Sequence, residues 1–176
     1  MQRGVLYLVR EEAMYILEML IARHRDIIEQ ETHLSHLIGS AKNEKSLREG
    51  IGKIKAFFDE AVMEHINFEE KILFPALKRA VPDGRVRIVY ELETEHEPIK
   101  AKVMAFRAQT EGLYQAISVE KQKAIIGLCK DVLSLAVPHS RRENEIIPPL
   151  IKAFFKAEDY QRVEEQYYQF IRQKPA

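Results

Sequence analysis

Two stretches of this sequence carry histidine and glutamate at a spacing suited to holding a metal: His65-Ile-Asn-Phe-Glu69 and, 74 residues later, His139-Ser-Arg-Arg-Glu143. In a helix, residues four apart share one face about one turn, ~5.4 Å, apart, so the imidazole and the carboxylate can reach a common point. Each stretch is thus a potential half-site. Both are followed by apolar residues and proline, Ile72-Leu73-Phe74-Pro75 and Ile146-Ile147-Pro148-Pro149. A lone histidine precedes each, His24 by 41 residues and His96 by 43. The chain therefore reads as two copies of one helix pair. Related by a rough twofold axis, they would bring four histidines and two glutamates to the centre of a bundle, where such folds build their cofactor sites.

A single histidine on an apolar stripe is usually a core residue with a satisfied ring. Four at repeat-related positions are a different matter. A buried glutamate is costly unless paired or bound to a cation, and no lysine or arginine stands at equivalent places in both halves to compensate Glu69 and Glu143. Imidazole with carboxylate and no thiolate suits iron, manganese or zinc, and six ligands are too many for one tetrahedral zinc. Two ions about 3.5–4 Å apart, each taking two histidines and one oxygen from each carboxylate, fit the set. The paired Glu-x-x-His pattern of ferritin-like di-metal bundles is not met, because Glu93-x-x-His96 is its single instance.

His33 and His36 are rotated by about 180° and 120° from His24 on a 3.6-residue helix and are read as surface or interhelical residues. Glu31 shares the face of His24 two turns away, as an outer residue or part of a route to the site. Glu70 and Glu145 are either carboxylates that orient ligands or solvated residues. Glu93 and Lys100, flanking His96, either face the core end or reach outward. Cys129 is a small buried apolar residue.

Positioning these residues requires long helices. Glycine and proline number only seven each, and apolar residues recur every three or four positions, which predicts an all-α protein. The first helix is expected from Glu11 to about Ile38, with Met14, Leu17, Leu20, Ile21, Ile27 and Ile28 on the stripe of His24. A polar loop over 39–45 follows. Ser46 with Glu49 then forms a capping box opening the second helix, which carries Ile54, Phe57, Phe58, Ala61, Val62, His65, Phe68, Glu69 and Ile72 inward until Pro75 kinks or ends it. Val81-Pro-Asp-Gly84 is a turn. The third helix runs to about Gln109 with a bend at Pro98 beside His96. After a connection over 112–118, with Ser118 as N-cap, the fourth helix extends from Val119 to Pro148-Pro149 and bends at Pro138. A last amphipathic helix, about 157–172, packs outside the bundle. The expectation is an up-down four-helix bundle over about 10–155 with an added C-terminal helix, one domain over 1–176.

Charge and composition exclude several classes. Twenty-seven basic and 27 acidic residues leave no net charge, which argues against a general nucleic-acid or membrane-surface binder. A single cysteine rules out an internal disulfide or a thiolate cluster and fits a reducing, cytoplasmic setting. The first residues hold only a four-residue apolar run, too short for a signal peptide or a membrane span.

The order His, His-x-x-x-Glu, His, His-x-x-x-Glu, with Leu73-Phe74-Pro75 closing the first motif, resembles the hemerythrin-like HHE cation-binding domain over about residues 10–155. The resemblance implies a non-haem di-iron centre, two irons with an oxo or hydroxo bridge. It makes His24, His65, His96 and His139 terminal ligands and Glu69 and Glu143 bridging ones. Oxygen-carrying hemerythrins use His-x-x-x-His on the third helix and His-x-x-x-x-Asp at the end. Here position 100 is lysine and position 144 asparagine. The four-histidine, two-glutamate set is closer to the metal domain of iron–sulfur cluster repair proteins, which are associated with nitric oxide and oxidative stress, without their cysteine-paired amino-terminal segment. Two functions are implied: binding or reducing peroxide, nitric oxide or dioxygen as a di-iron oxidoreductase, or sensing iron or oxygen without turnover. The ligand would be a small diatomic or peroxide; no nucleic acid or membrane is implied.

Overall fold

The computed structural model describes residues 2–41, 43–112 and 117–173, with side chains from residue 15 onward apart from 31, 32, 35 and 38. The side chains of Met14, Glu31 and Ile38 lie outside those described. Five helices and no strand are found among the described residues. Helix α1 is Gln2–Gly39 and α2 spans 44–80. Helix α3 is Asp83–Thr110, α4 is Val119–Phe154, and α5 is Ala157–Arg172. The first four form the bundle, with α1 and α3 both packed along α4, and α5 lies against α1 and α2. No helix among the described residues is long and apolar enough to cross a membrane.

Several boundaries differ from the sequence expectation. Helix α1 begins nine residues before Glu11. Helix α2 opens at Asn43, not Ser46. The extended Asn43 backbone lets its side chain accept from the Ser46 N–H at 2.9 Å, while the Ser46 hydroxyl accepts from the Asn43 N–H at 3.2 Å. Asparagine caps as well as serine, so the box closes three residues earlier with Ser46 as its far member. Ser118 does cap α4, accepting from the Lys121 N–H. Helix α4 does not stop at Pro148-Pro149 but continues to Phe154, because Ile147, Pro148 and Ile151 are buried. Their packing outweighs the ~3 kcal/mol that a helix-interior proline costs. Ile21, expected on the inward stripe, is 46% exposed, and Ile16 is buried instead.

Helix α2 is not α-helical throughout. Segments Glu44–Phe57, Glu64–Phe68 and Phe74–Ala80 are joined by π-helical turns at Phe58–Met63 and Glu69–Leu73. Widened turns of this kind are frequent at functional sites. Across the second one, the Phe74 N–H bonds back five residues to the Glu69 carbonyl. Pro75 follows immediately, where it has no N–H to give, and α2 runs on past it to Ala80.

The bundle interior is two apolar cores separated by a polar layer. One core gathers Ile27, Ile54, Phe58, Ile99, Phe106 and Val132; the other gathers Leu20, Phe68, Phe74, Leu92, Ile147 and, from α5, Val163. Between them every bundle helix replaces apolar residues of its stripe with ligand-type ones. On α1, His24 stands between Leu20 and Ile27; on α3, His96 stands between Leu92 and Ile99.

Candidate metal centre

The polar layer contains all six residues singled out by spacing. His24, His96, Glu69 and Glu143 have no exposed surface, and His65 and His139 keep 4% and 6%. Glu69 and Glu143 lie side by side, and each turns one oxygen to each half of the layer. Glu69 Oε1 is 3.3 Å from His65 Nε2 and 3.6 Å from His24 Nε2, while its Oε2 is 3.4 Å from His96 Nε2. Glu143 Oε2 is 3.1 Å from His24 Nε2, and its Oε1 is 3.2 Å from His139 Nε2 and 3.9 Å from His96 Nε2.

Two overlapping clusters result, His24–His65–Glu69–Glu143 and Glu69–His96–His139–Glu143, and in each the ligand atoms lie within 4.8 Å of one another. Atoms held about 2.0–2.2 Å from a common ion are necessarily this close. Both oxygens of Glu69, both of Glu143, and Nε2 of His96 and His139 are buried without a hydrogen-bond partner. Six orphaned acceptors or donors in one layer are a large uncompensated cost in a folded protein. Cations placed in the two clusters would satisfy all of them, so the residues present fit two metal ions.

The outer nitrogens of three rings are also held. His24 Nδ1–H donates to Asn144 Oδ1 at 2.7 Å, His96 Nδ1–H to Glu70 Oε1 at 3.1 Å and His139 Nδ1–H to Glu95 Oε2 at 2.8 Å. These bonds fix the tautomer that leaves Nε2 facing inward. Glu70 in turn accepts from Lys100 Nζ at 2.8 Å, and Glu95 is bonded by Arg142, which also reaches Glu91 at 3.2 Å. The Phe74 ring stacks on His96 with centroids 5.3 Å apart.

Charge within the polar layer is shared. Burial opposes protonation of His24, but the facing carboxylates of Glu143 and Glu69 overcome it and raise the ring to about 10. Burial lowers His65 to about 4 against the pull of Glu69, and the neighbouring His24 lowers it further. The two Nε2 atoms are 2.7 Å apart, consistent with one proton between them. Burial pushes the His139 ring down, but the facing carboxylate of Glu143, with Glu95 behind it, lifts it above the usual value. Burial pushes Glu69 up, but the imidazoles of His65, His24 and His96 facing its oxygens hold it well below the ordinary carboxylate range. Burial and the charge of Glu69 push Glu143 up, yet His139 and His24 hold it below that range as well.

The other expectations resolve individually. Glu70 orients His96, whereas Glu145 is exposed. Lys100 joins Glu70 and Glu97 outside the layer, and Glu93 pairs with Lys78. His33 and His36 are exposed, and Cys129 is buried in the apolar core. Two functional residues carry no spacing signal: Asn144, which stands out in sequence only as a departure from an acid, and Glu95, which reaches across to a histidine on another helix.

No curated protein matches the chain. Residues 15–151 match the family described as the hemerythrin HHE cation binding domain.

Proposed function

The chain belongs to the hemerythrin HHE cation-binding family, and from that premise we propose that it is a non-haem di-iron protein that binds or reduces a small oxidant: peroxide, nitric oxide or dioxygen. The carrying observation is the pair of buried clusters that share both carboxylates and leave six inward atoms unpartnered. In this reading His24 and His65 hold one ion, His96 and His139 the other, and Glu69 and Glu143 serve both. Iron supplies the redox chemistry when bound.

The protein's own part is to bind, orient and enclose. The two carboxylates offset cationic charge inside a layer from which the flanking cores exclude water. Asn144, Glu70 and Glu95 hold three imidazoles in the inward-facing tautomer. Beside His65 a small cavity of about 10 Å³ is lined by Leu20, Phe68, Tyr167 and Phe170. That is room for about one water-sized molecule, whereas a wider cavity of about 290 Å³ lies beside His139, lined by Glu95, Pro98 and Arg142.

A second reading, a module that senses iron or oxygen without turnover, is favoured by one contact. Tyr167 of α5 packs edge-on against Phe68, the residue before Glu69, with ring centroids 5.3 Å apart. A change at Glu69 is thereby one residue from the docking of α5.

The test is metal analysis and an optical spectrum of the purified protein before and after peroxide, nitric oxide and oxygen. We expect two irons per chain, a spectrum that responds to at least one of the three, and loss of iron and response in His65→Ala. A loaded protein that turns over none of them leaves the sensing reading in place; a protein that takes up no metal sinks both.

A further inference from the structure

The two half-sites are built from the same residue types but are not equivalent. The first difference lies behind the ligands. His24 is backed by a neutral amide, Asn144, whereas His96 and His139 are backed by the carboxylates of Glu70 and Glu95. A carboxylate accepting from Nδ1–H makes the opposite nitrogen a stronger donor to a cation, and loss of such a partner typically weakens metal binding about 10- to 100-fold. Both carboxylates are themselves pinned, Glu70 by Lys100 and Glu95 by Arg142.

The second difference lies at the inward nitrogens. His24 Nε2 and His65 Nε2 are hydrogen-bonded to each other at 2.7 Å, so an incoming cation must separate them. Nε2 of His96 and of His139 have no partner and already face the oxygens of Glu69 and Glu143. A site whose donors need no rearrangement binds with the smaller cost of ordering.

We infer that the centre loads in order: the His96–His139 half-site is the high-affinity position and fills first, the His24–His65 half-site fills second, and Glu95 and Glu70 are the positioning residues that set the difference. This rests on the metal-binding reading above and adds to it an order, an affinity gap and two outer residues.

The experiment titrates the full metal-free chain with cobalt(II) in competition with a chromophoric chelator, and follows histidine ring protons by paramagnetic NMR. Two steps separated by about 10- to 100-fold are expected, with His96 and His139 signals shifted at one equivalent and those of His24 and His65 only at two. Glu95→Gln should weaken the first step by a similar factor and leave the second unchanged. Asn144→Asp should strengthen the second step and narrow the gap. Equal affinities in the unaltered chain, or His24 and His65 responding first, overturn the inference while leaving the metal-binding reading intact. If cobalt and iron both fail to bind, the metal-binding reading falls and this inference with it.

Discussion

The two halves of the molecule solve one geometric problem with different backbones. In the second half, His139 and Glu143 sit on an α-helix that runs unbroken from Val119 to Phe154 through three prolines. In the first half, His65 stands in a five-residue α-helical segment between two π turns, and Glu69 opens the second of them. The prolines do not account for this, since Pro75 lies six residues after Glu69 and Pro149 six after Glu143. The difference teaches that the repeat resides in the order of ligands, not in the hydrogen-bond ladder beneath them. A looser ladder in α2 and a regular one in α4 aim the same two side chains at a shared centre.

The largest expected effect tests what the halves have in common. Each bound ion stabilises by about 2.7 kcal/mol at a free concentration a hundredfold above its Kd. At about 2–4 °C per kcal/mol for a chain of this size, chelating both ions should lower Tm by about 10–20 °C in calorimetry. Equal melting of the metal-free and loaded chains would mean that neither half depends on a cation.

A second test asks whether the halves can be separated. Because each carboxylate turns one oxygen to each cluster, Glu69→Gln and Glu143→Gln should each weaken both positions by more than the roughly 10- to 100-fold of an outer-shell change. Metal analysis after dialysis should find less than one ion per chain in either variant. Retention of one full ion by Glu69→Gln would show that the α3–α4 half holds its cation alone.

The smallest effect concerns the backbone itself. A π turn interrupts the regular i→i+4 ladder, and such an interruption is expected to open locally at lower cost. In the metal-free chain, amide exchange at residues 70–73 should be about tenfold faster than at 144–147, a difference of about 1.4 kcal/mol. Matching protection would erase the mechanical distinction between α2 and α4.

Much of the centre is legible in the sequence because its residues obey a period. His24, His65, Glu69, His96, His139 and Glu143 fall on stripes that are otherwise apolar, and a polar residue on such a stripe is conspicuous. What escapes the sequence depends on how helices rotate against one another. Glu95 precedes His96 but serves His139, a relation no spacing within α3 could reveal. The π turns are equally silent, since 58–63 and 69–73 have unremarkable helix-forming residues and Pro75 has a counterpart where no π turn forms. The run of α4 past Pro148-Pro149 was hidden for a related reason: local propensity argues for a stop, and the burial of Ile147 and Ile151 decides against it.

The polar layer also constrains the order in which the molecule can be made. His24 and Asn144 touch across 120 residues of chain, and the centre needs a side chain from each of four helices. During synthesis from the amino terminus, α1 and α2 emerge carrying His24, His65 and Glu69 with no Glu143 to meet them. Contacts within that hairpin close short loops, whereas completing the layer closes one of 120 residues, and such distant closure is entropically the more demanding. The ion-binding layer thus cannot be finished before α4 has emerged, and an ion captured there reports that all four bundle helices have arrived.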